Sequence, residues 1–217
     1  KKYQYQSRKY YNESMEDFQP LIKKLKDIKK LGKGGWVSKG DKEVARDYID
    51  IELGLKNSDF DNPKFQALIK KYDLKDAIDL ARLRFEKFAR DFKAVGMDIG
   101  YINNYIARTV SDYTNLLAYL EKNGKISQEE RVQIQQVSEQ MGQEGNGLLR
   151  DDQILQIVQD IIVGNGATNK NGSIDNGKAR KILEINAEMN AYYRDTFDAL
   201  NIYANQVSEK IMQKRFL

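Results

Sequence analysis

Apolar residues recur at three- and four-residue spacing along most of this chain, and that period constrains the fold more than any other property of it. Leu21, Ile22, Leu25, Ile28 and Leu31 form one such stripe, followed by Val44, Ala45, Tyr48, Ile49 and Leu53, then by Phe65, Leu68, Ile69 and Tyr72. Between Leu74 and Val95 the residues Ala77, Ile78, Ala81, Leu83, Phe85, Phe88, Ala89 and Phe92 supply a wider face, as expected of a helix central to a bundle. The same spacing predicts helices over 99–122, 128–141, 151–163 and 176–215. No segment alternates apolar and polar residues between turn signals, so the expected class is all-α: a multi-helix bundle with little or no sheet.

Helix ends are marked by residues that satisfy orphaned backbone groups. Pro20 suits a first helical turn, where its missing N–H costs nothing, and Gly32 suits a C-cap. Four glycines within residues 32–40 mark a joint, with Trp36 expected to anchor it. The spacing there does not match a phosphate-binding loop. Asp41 or Ser38 is expected to cap the next helix and Gly54 to lie near its stop. Pro63 opens another helix, Asp98 is a candidate cap, Ser127 with Glu130 forms a capping box, and Asp151 or Asp152 caps a later helix. The division expected from these signals is residues 1–40, a basic Tyr/Lys-rich arm, helix and glycine-rich joint, and residues 41–217, a helical bundle. Lys at position 1 fits a processed product or a piece of a longer polypeptide.

Among 217 residues there is no cysteine and no histidine. Disulfides, thiol nucleophiles, iron–sulfur clusters, zinc fingers and most catalytic triads are excluded, leaving carboxylates, lysine, tyrosine and hydroxyls for any chemistry. Two loops, 119–130 and 167–178, place Gly sixth and Ile eighth as calcium loops do. The first begins with Tyr119 and the second ends in Lys178, so neither completes an oxygen cage. Asn-Gly is better read there as a helix stop. No metal, cofactor or catalytic set is expected. No run approaches the roughly 18 apolar residues of a membrane span.

Charge is unevenly distributed. Residues 1–40 hold 11 Lys/Arg against 4 Asp/Glu, whereas 96–167 hold 5 against 10. At the basic end, Tyr3, Tyr5, Tyr10 and Tyr11 interleave with Lys1, Lys2, Arg8 and Lys9, combining ring faces with phosphate-neutralising charge. These eight residues are the candidate contacts for a partner or for weak, non-specific nucleic-acid binding.

The stretch 95–113 contains Gly96, Gly100, Tyr101, Tyr105, Arg108, Val110, Asp112 and Tyr113. This stretch, with the capped helix from Ser127, resembles a block in very large multidomain (polyvalent or internal and ejected) proteins of tailed bacteriophages. In that block a Gly-Tyr and a second Tyr precede aromatic-Pro-Arg, with Val and Asp-Tyr after; here Ile106-Ala107 stands at the aromatic-Pro pair. The resemblance implies a non-enzymatic structural or interaction segment of a virion-associated protein, delivered into or assembled in the bacterial cytoplasm. Its implied partners are other virion proteins or copies of itself. Two alternatives remain: a nucleic-acid-binding accessory module and a carboxylate-based lytic hydrolase. On local grounds, Gly96 and Gly100 make a turn, Tyr101 and Tyr105 pack a helix onto its neighbour, and Arg108 pairs with Asp112 at i+4.

Overall fold

The computed structural model describes residues 2–32, 39–96, 106–132, 134–136 and 184–216. Among them the secondary structure is helical, with one isolated antiparallel bridge between Val110 and Tyr193 and no strand. The all-α expectation is met. The chain divides into two compact units, residues 1–108 with 195–217, and residues 109–194.

The first unit holds α1 (Lys2–Leu31), α2 (Lys39–Asn57), α3 (Pro63–Lys71) and α4 (Lys75–Ala94). Its last helix, Thr196–Phe216, is numbered α7 in chain order. The basic Tyr/Lys-rich arm expected ahead of the helix within residues 1–40 is corrected: α1 is a single 30-residue helix, about 45 Å long at 1.5 Å per residue. Its buried stripe runs Ser7, Tyr10, Ser14, Phe18, Leu21, Ile22, Leu25 and Ile28, so the helical spacing continues into the first half through residues that are small or carry a hydroxyl. Pro20 lies inside this helix, not at its start. It and Glu16, whose carbonyl loses its i+4 donor there, are both exposed, so the freed carbonyl is not buried without a donor.

Helix α7 runs antiparallel to α1. Tyr3 Oη donates to the Glu209 carbonyl at 3.2 Å and Tyr11 Oη to Asn201 Oδ1 at 2.8 Å. Phe18 meets Phe85 at 5.3 Å and Phe88 at 6.0 Å, and Tyr203 of α7 meets the same two rings at 5.3 and 5.9 Å. The core of this unit is therefore an aromatic cluster shared by α1, α4 and α7, in tilted and edge-on arrangements that suit the ring quadrupoles.

Local signals hold well for α3 and α4. Asn62 caps α3, its Oδ1 accepting from Lys64 N–H at 2.9 Å, and Pro63 is the first helical residue. Helix α4 spans almost the expected range, and Gly96 follows it at φ +76°, a conformation suited to a residue without Cβ. Leu83, however, is 58% exposed, while Arg84 occupies the buried face.

The face predicted for α2 is rotated from the observed one. Ile49 is exposed, and the buried set is Tyr48, Ile51, Glu52, Gly54, Leu55 and Lys56. Gly54 lies near the stop of α2, as expected, in its last turn, where a Cβ would fall 2.5 Å from Phe65 Cγ. The glycine is there because the Phe65 ring of α3 packs directly on the α2 backbone.

The second unit contains α5 (Tyr113–Lys122), a helical stretch at 128–132 and the short α6 (Ala187–Asn190). Two long helices expected here are interrupted. Residues 106–109 are not helical, and 191–195 separate α6 from α7. The backbone in these places bonds across the sequence: Arg194 N–H donates to the Thr109 carbonyl at 2.8 Å and Ser111 N–H to that of Tyr192 at 2.8 Å. Non-local partners thus take the groups a helix would have paired. Gly124 ends α5 at φ +65°, and the capping box closes reciprocally, Ser127 N–H to Glu130 Oε2 at 2.6 Å and Glu130 N–H to Ser127 Oγ at 3.1 Å. The expected helix 151–163, loop 167–178, Trp36 and the Ser38 cap lie outside the described residues.

Candidate functional site

The residues named from sequence at the basic end divide between two roles. Lys1 lies outside the described residues. Tyr10 is buried, its hydroxyl donating to Asp91 Oδ2, and Tyr3 and Tyr11 are engaged with α7 as described. These three tyrosines hold helices together. Burial, then the bond to Asp91 and that carboxylate's charge, push the Tyr10 hydroxyl far above its ordinary value. Lys2, Tyr5, Arg8 and Lys9 stay exposed, with Tyr5 at 67%. On the helix Lys2, Arg8 and Lys9 stand at i−3, i+3 and i+4 from Tyr5, so three cations surround one exposed ring. The last turn of α7 adds exposed Lys214, Arg215 and Phe216, with Lys2 Nζ 5.9 Å from the Phe216 ring centroid.

Of the second predicted group, Gly100, Tyr101 and Tyr105 lie outside the described residues, as does the Tyr113 side chain. Gly96 makes the expected turn. Arg108 is buried in a non-helical stretch, so the i+4 helical register with Asp112 does not exist. Asp112 instead caps α5, accepting from Asn115 N–H at 3.1 Å.

A third set was not anticipated. Glu52 and Lys56 of α2 are each 1% exposed and pair at 2.8 Å. Glu52 also accepts from the Thr196 backbone N–H at 2.9 Å and from Thr196 Oγ1 at 3.0 Å, and Tyr48 Oη lies 3.2 Å from it. Tyr48 Oη in turn donates to Asp195 Oδ1 at 2.9 Å, and Lys29 of α1 donates to the other oxygen of Asp195. The carboxylate of Glu52 therefore sits on the N-terminus of α7, where backbone N–H groups and the helix dipole favour negative charge. Burial, then the charges of Glu52 and Asp195, drive the Tyr48 hydroxyl far above its ordinary value, keeping it a neutral donor. The available signal was the i,i+4 Glu52/Lys56 spacing, which hydrophobicity patterns discard as a surface pair.

Other ion pairs also cross between helices. Arg84 Nε donates to Asp17 Oδ2 at 2.6 Å and Arg84 Nη2 to the Glu13 carbonyl at 3.0 Å. Burial opposes ionisation of Asp47, but donation from Lys71 and Tyr72 outweighs it and holds the carboxyl below its usual range. Asp91 behaves likewise: burial is overcome by donation from Lys87 and Tyr10.

A groove of about 540 Å³ lies along α3 and α4. Two carboxylates line it, but Asp73 pairs with Lys24 at 2.9 Å and Asp79 with Lys75 and Arg82. Among the described residues no group of three or more acidic side chains is placed to hold a metal ion, and no helix is long and apolar enough to cross a membrane. No protein-family model, curated protein or solved structure matches the chain.

Proposed function

We propose that this chain is a non-enzymatic helical interaction segment of a large, virion-associated bacteriophage protein. The observation that carries the scaffold part is the Glu52 network. Its carboxylate, ammonium, phenol and helix N-terminus, the groups from which acid–base chemistry would be built, satisfy one another in a site closed to solvent. Such a network specifies how α1, α2 and α7 meet and leaves its members no room for a substrate. The aromatic core and the Arg84–Asp17 pair serve the same end. The virion part rests on the resemblance of residues 95–113 to the phage block, and it makes other virion proteins or copies of the chain the partners.

Location is the direct test. Peptides of this chain are to be sought by mass spectrometry in density-purified particles from an induced culture, beside the particle-free lysate. Enrichment with capsid proteins, in fixed ratio to them, supports the proposal. Recovery only from the particle-free fraction removes it.

A further inference from the structure

We propose that the exposed basic and aromatic end formed by the first turns of α1 and the last turn of α7 binds single-stranded nucleic acid. The fold brings together the first turns of α1 and the last turns of α7, which no local pattern connects. Tyr3 bonded to Glu209 and Lys2 beside the Phe216 ring fix the first turns of α1 against the C-terminal part of α7. Exposed Lys2, Arg8 and Lys9 thereby share one end of this unit with exposed Lys214, while Arg215 beside it is 3.5 Å from Asp91 Oδ1 and so is partly neutralised. Residues 1–12 contain no Asp or Glu. Two of the most exposed large rings of the described residues, Tyr5 and Phe216 at 67% and 44%, lie within the same group of cations.

That combination selects its occupant. Cations alone would suit any polyanion, but exposed rings beside them, the Tyr5 ring above all, match unstacked bases, whose π-faces stack on aromatics while phosphates take the charges. A duplex keeps its bases stacked inside and offers the rings nothing. An anionic lipid surface would need an apolar wedge larger than two rings. The site also differs from the one suggested by sequence: Tyr3, Tyr10 and Tyr11 are used up in helix packing, leaving Tyr5, while Lys214, Arg215 and Phe216 join from the far end of the chain. This inference is independent of the virion assignment.

The test is fluorescence anisotropy of the 217-residue chain with a labelled oligothymidine, a duplex of equal length, and phosphatidylserine vesicles. About four neutralised phosphates predict a log–log salt slope near −3, so a fourfold rise in salt weakens binding on the order of fifty-fold. Tyr5→Ala is expected to weaken oligothymidine binding about five-fold or more at unchanged slope. Lys9→Glu with Lys214→Glu should flatten the slope. All three positions are exposed, so helicity by circular dichroism should match the parent. Absence of binding at low salt overturns the proposal. So does an affinity indifferent to Tyr5→Ala, duplex binding as tight as that of the single strand, or a preference for vesicles.

Discussion

Removing the charge of Glu52 while keeping its shape tests the central packing argument. In Glu52→Gln the amide oxygen can still accept from Thr196 N–H, but Lys56, 1% exposed, loses the carboxylate 2.8 Å away. Breaking a buried pair from one side costs about 3–5 kcal/mol, because a charge is left in a poorly solvating site. Lys56→Met should cost less, about 1–3 kcal/mol, because Glu52 keeps two donors, Thr196 N–H and Thr196 Oγ1, together with the positive end of α7. The double variant should be more stable than Glu52→Gln alone, since no unbalanced charge remains. Urea unfolding at neutral pH reads these differences as shifts in midpoint at unchanged slope. For a chain of this size the Glu52→Gln loss corresponds to a fall in Tm of roughly 6–20 °C. A loss under about 1 kcal/mol, or Lys56→Met costing more than Glu52→Gln, would refute the reasoning: the pair would then be solvated in solution and the helix-terminus contribution negligible.

Other outcomes follow from packing and titration. Gly54→Ala should destabilise by about 1–3 kcal/mol despite its better helix propensity, because the new methyl meets the Phe65 ring, and Phe65→Leu introduced with it should restore part of the loss in the same urea assay. Tyr10 and Tyr48 are held neutral in the folded state, whereas unfolded tyrosine ionises near pH 10. Stability is therefore full below that pH and falls above it by about 1.4 kcal/mol per pH unit for each tyrosine; Tyr48→Phe should make the alkaline limb of an unfolding profile shallower, and an unchanged limb would count against the burial of that hydroxyl. Asp47 and Asp91 act in the opposite sense: their depressed values stabilise the fold above the ordinary carboxylate range, and that contribution disappears as pH falls below about 4. Asp91→Asn should flatten the acid limb of the same profile.

What could be read in advance is what neighbouring residues settle among themselves. Asn62-Pro63 opens α3, Asn123-Gly124 closes α5 and Ser127 with Glu130 starts the turn beyond it, because each involves donors and acceptors within four residues. The apolar period similarly announced α4 and the second half of α1. The first half of α1 shows no apolar period because its buried face is made of Ser7, Tyr10 and Ser14, which become interior residues only when Asp91 receives the Tyr10 hydroxyl and α7 packs alongside. The breaks at 106–109 and 191–195 answer to hydrogen bonds between positions 109 and 194 and between 111 and 192, over eighty residues apart in each case, which no window of sequence contains. Glu52 and Lys56 are buried for a related reason: a charged pair enters a core only where a helix N-terminus and a second hydroxyl arrive to receive it. Sequence periodicity thus settled that the chain is helical and where several helices end, since those are local balances of backbone bonding and apolar area. Tertiary structure decided which polar groups lie inside, where long helices break, and that Phe216 of α7 lies beside Lys2 of α1, because each depends on segments that meet only after folding.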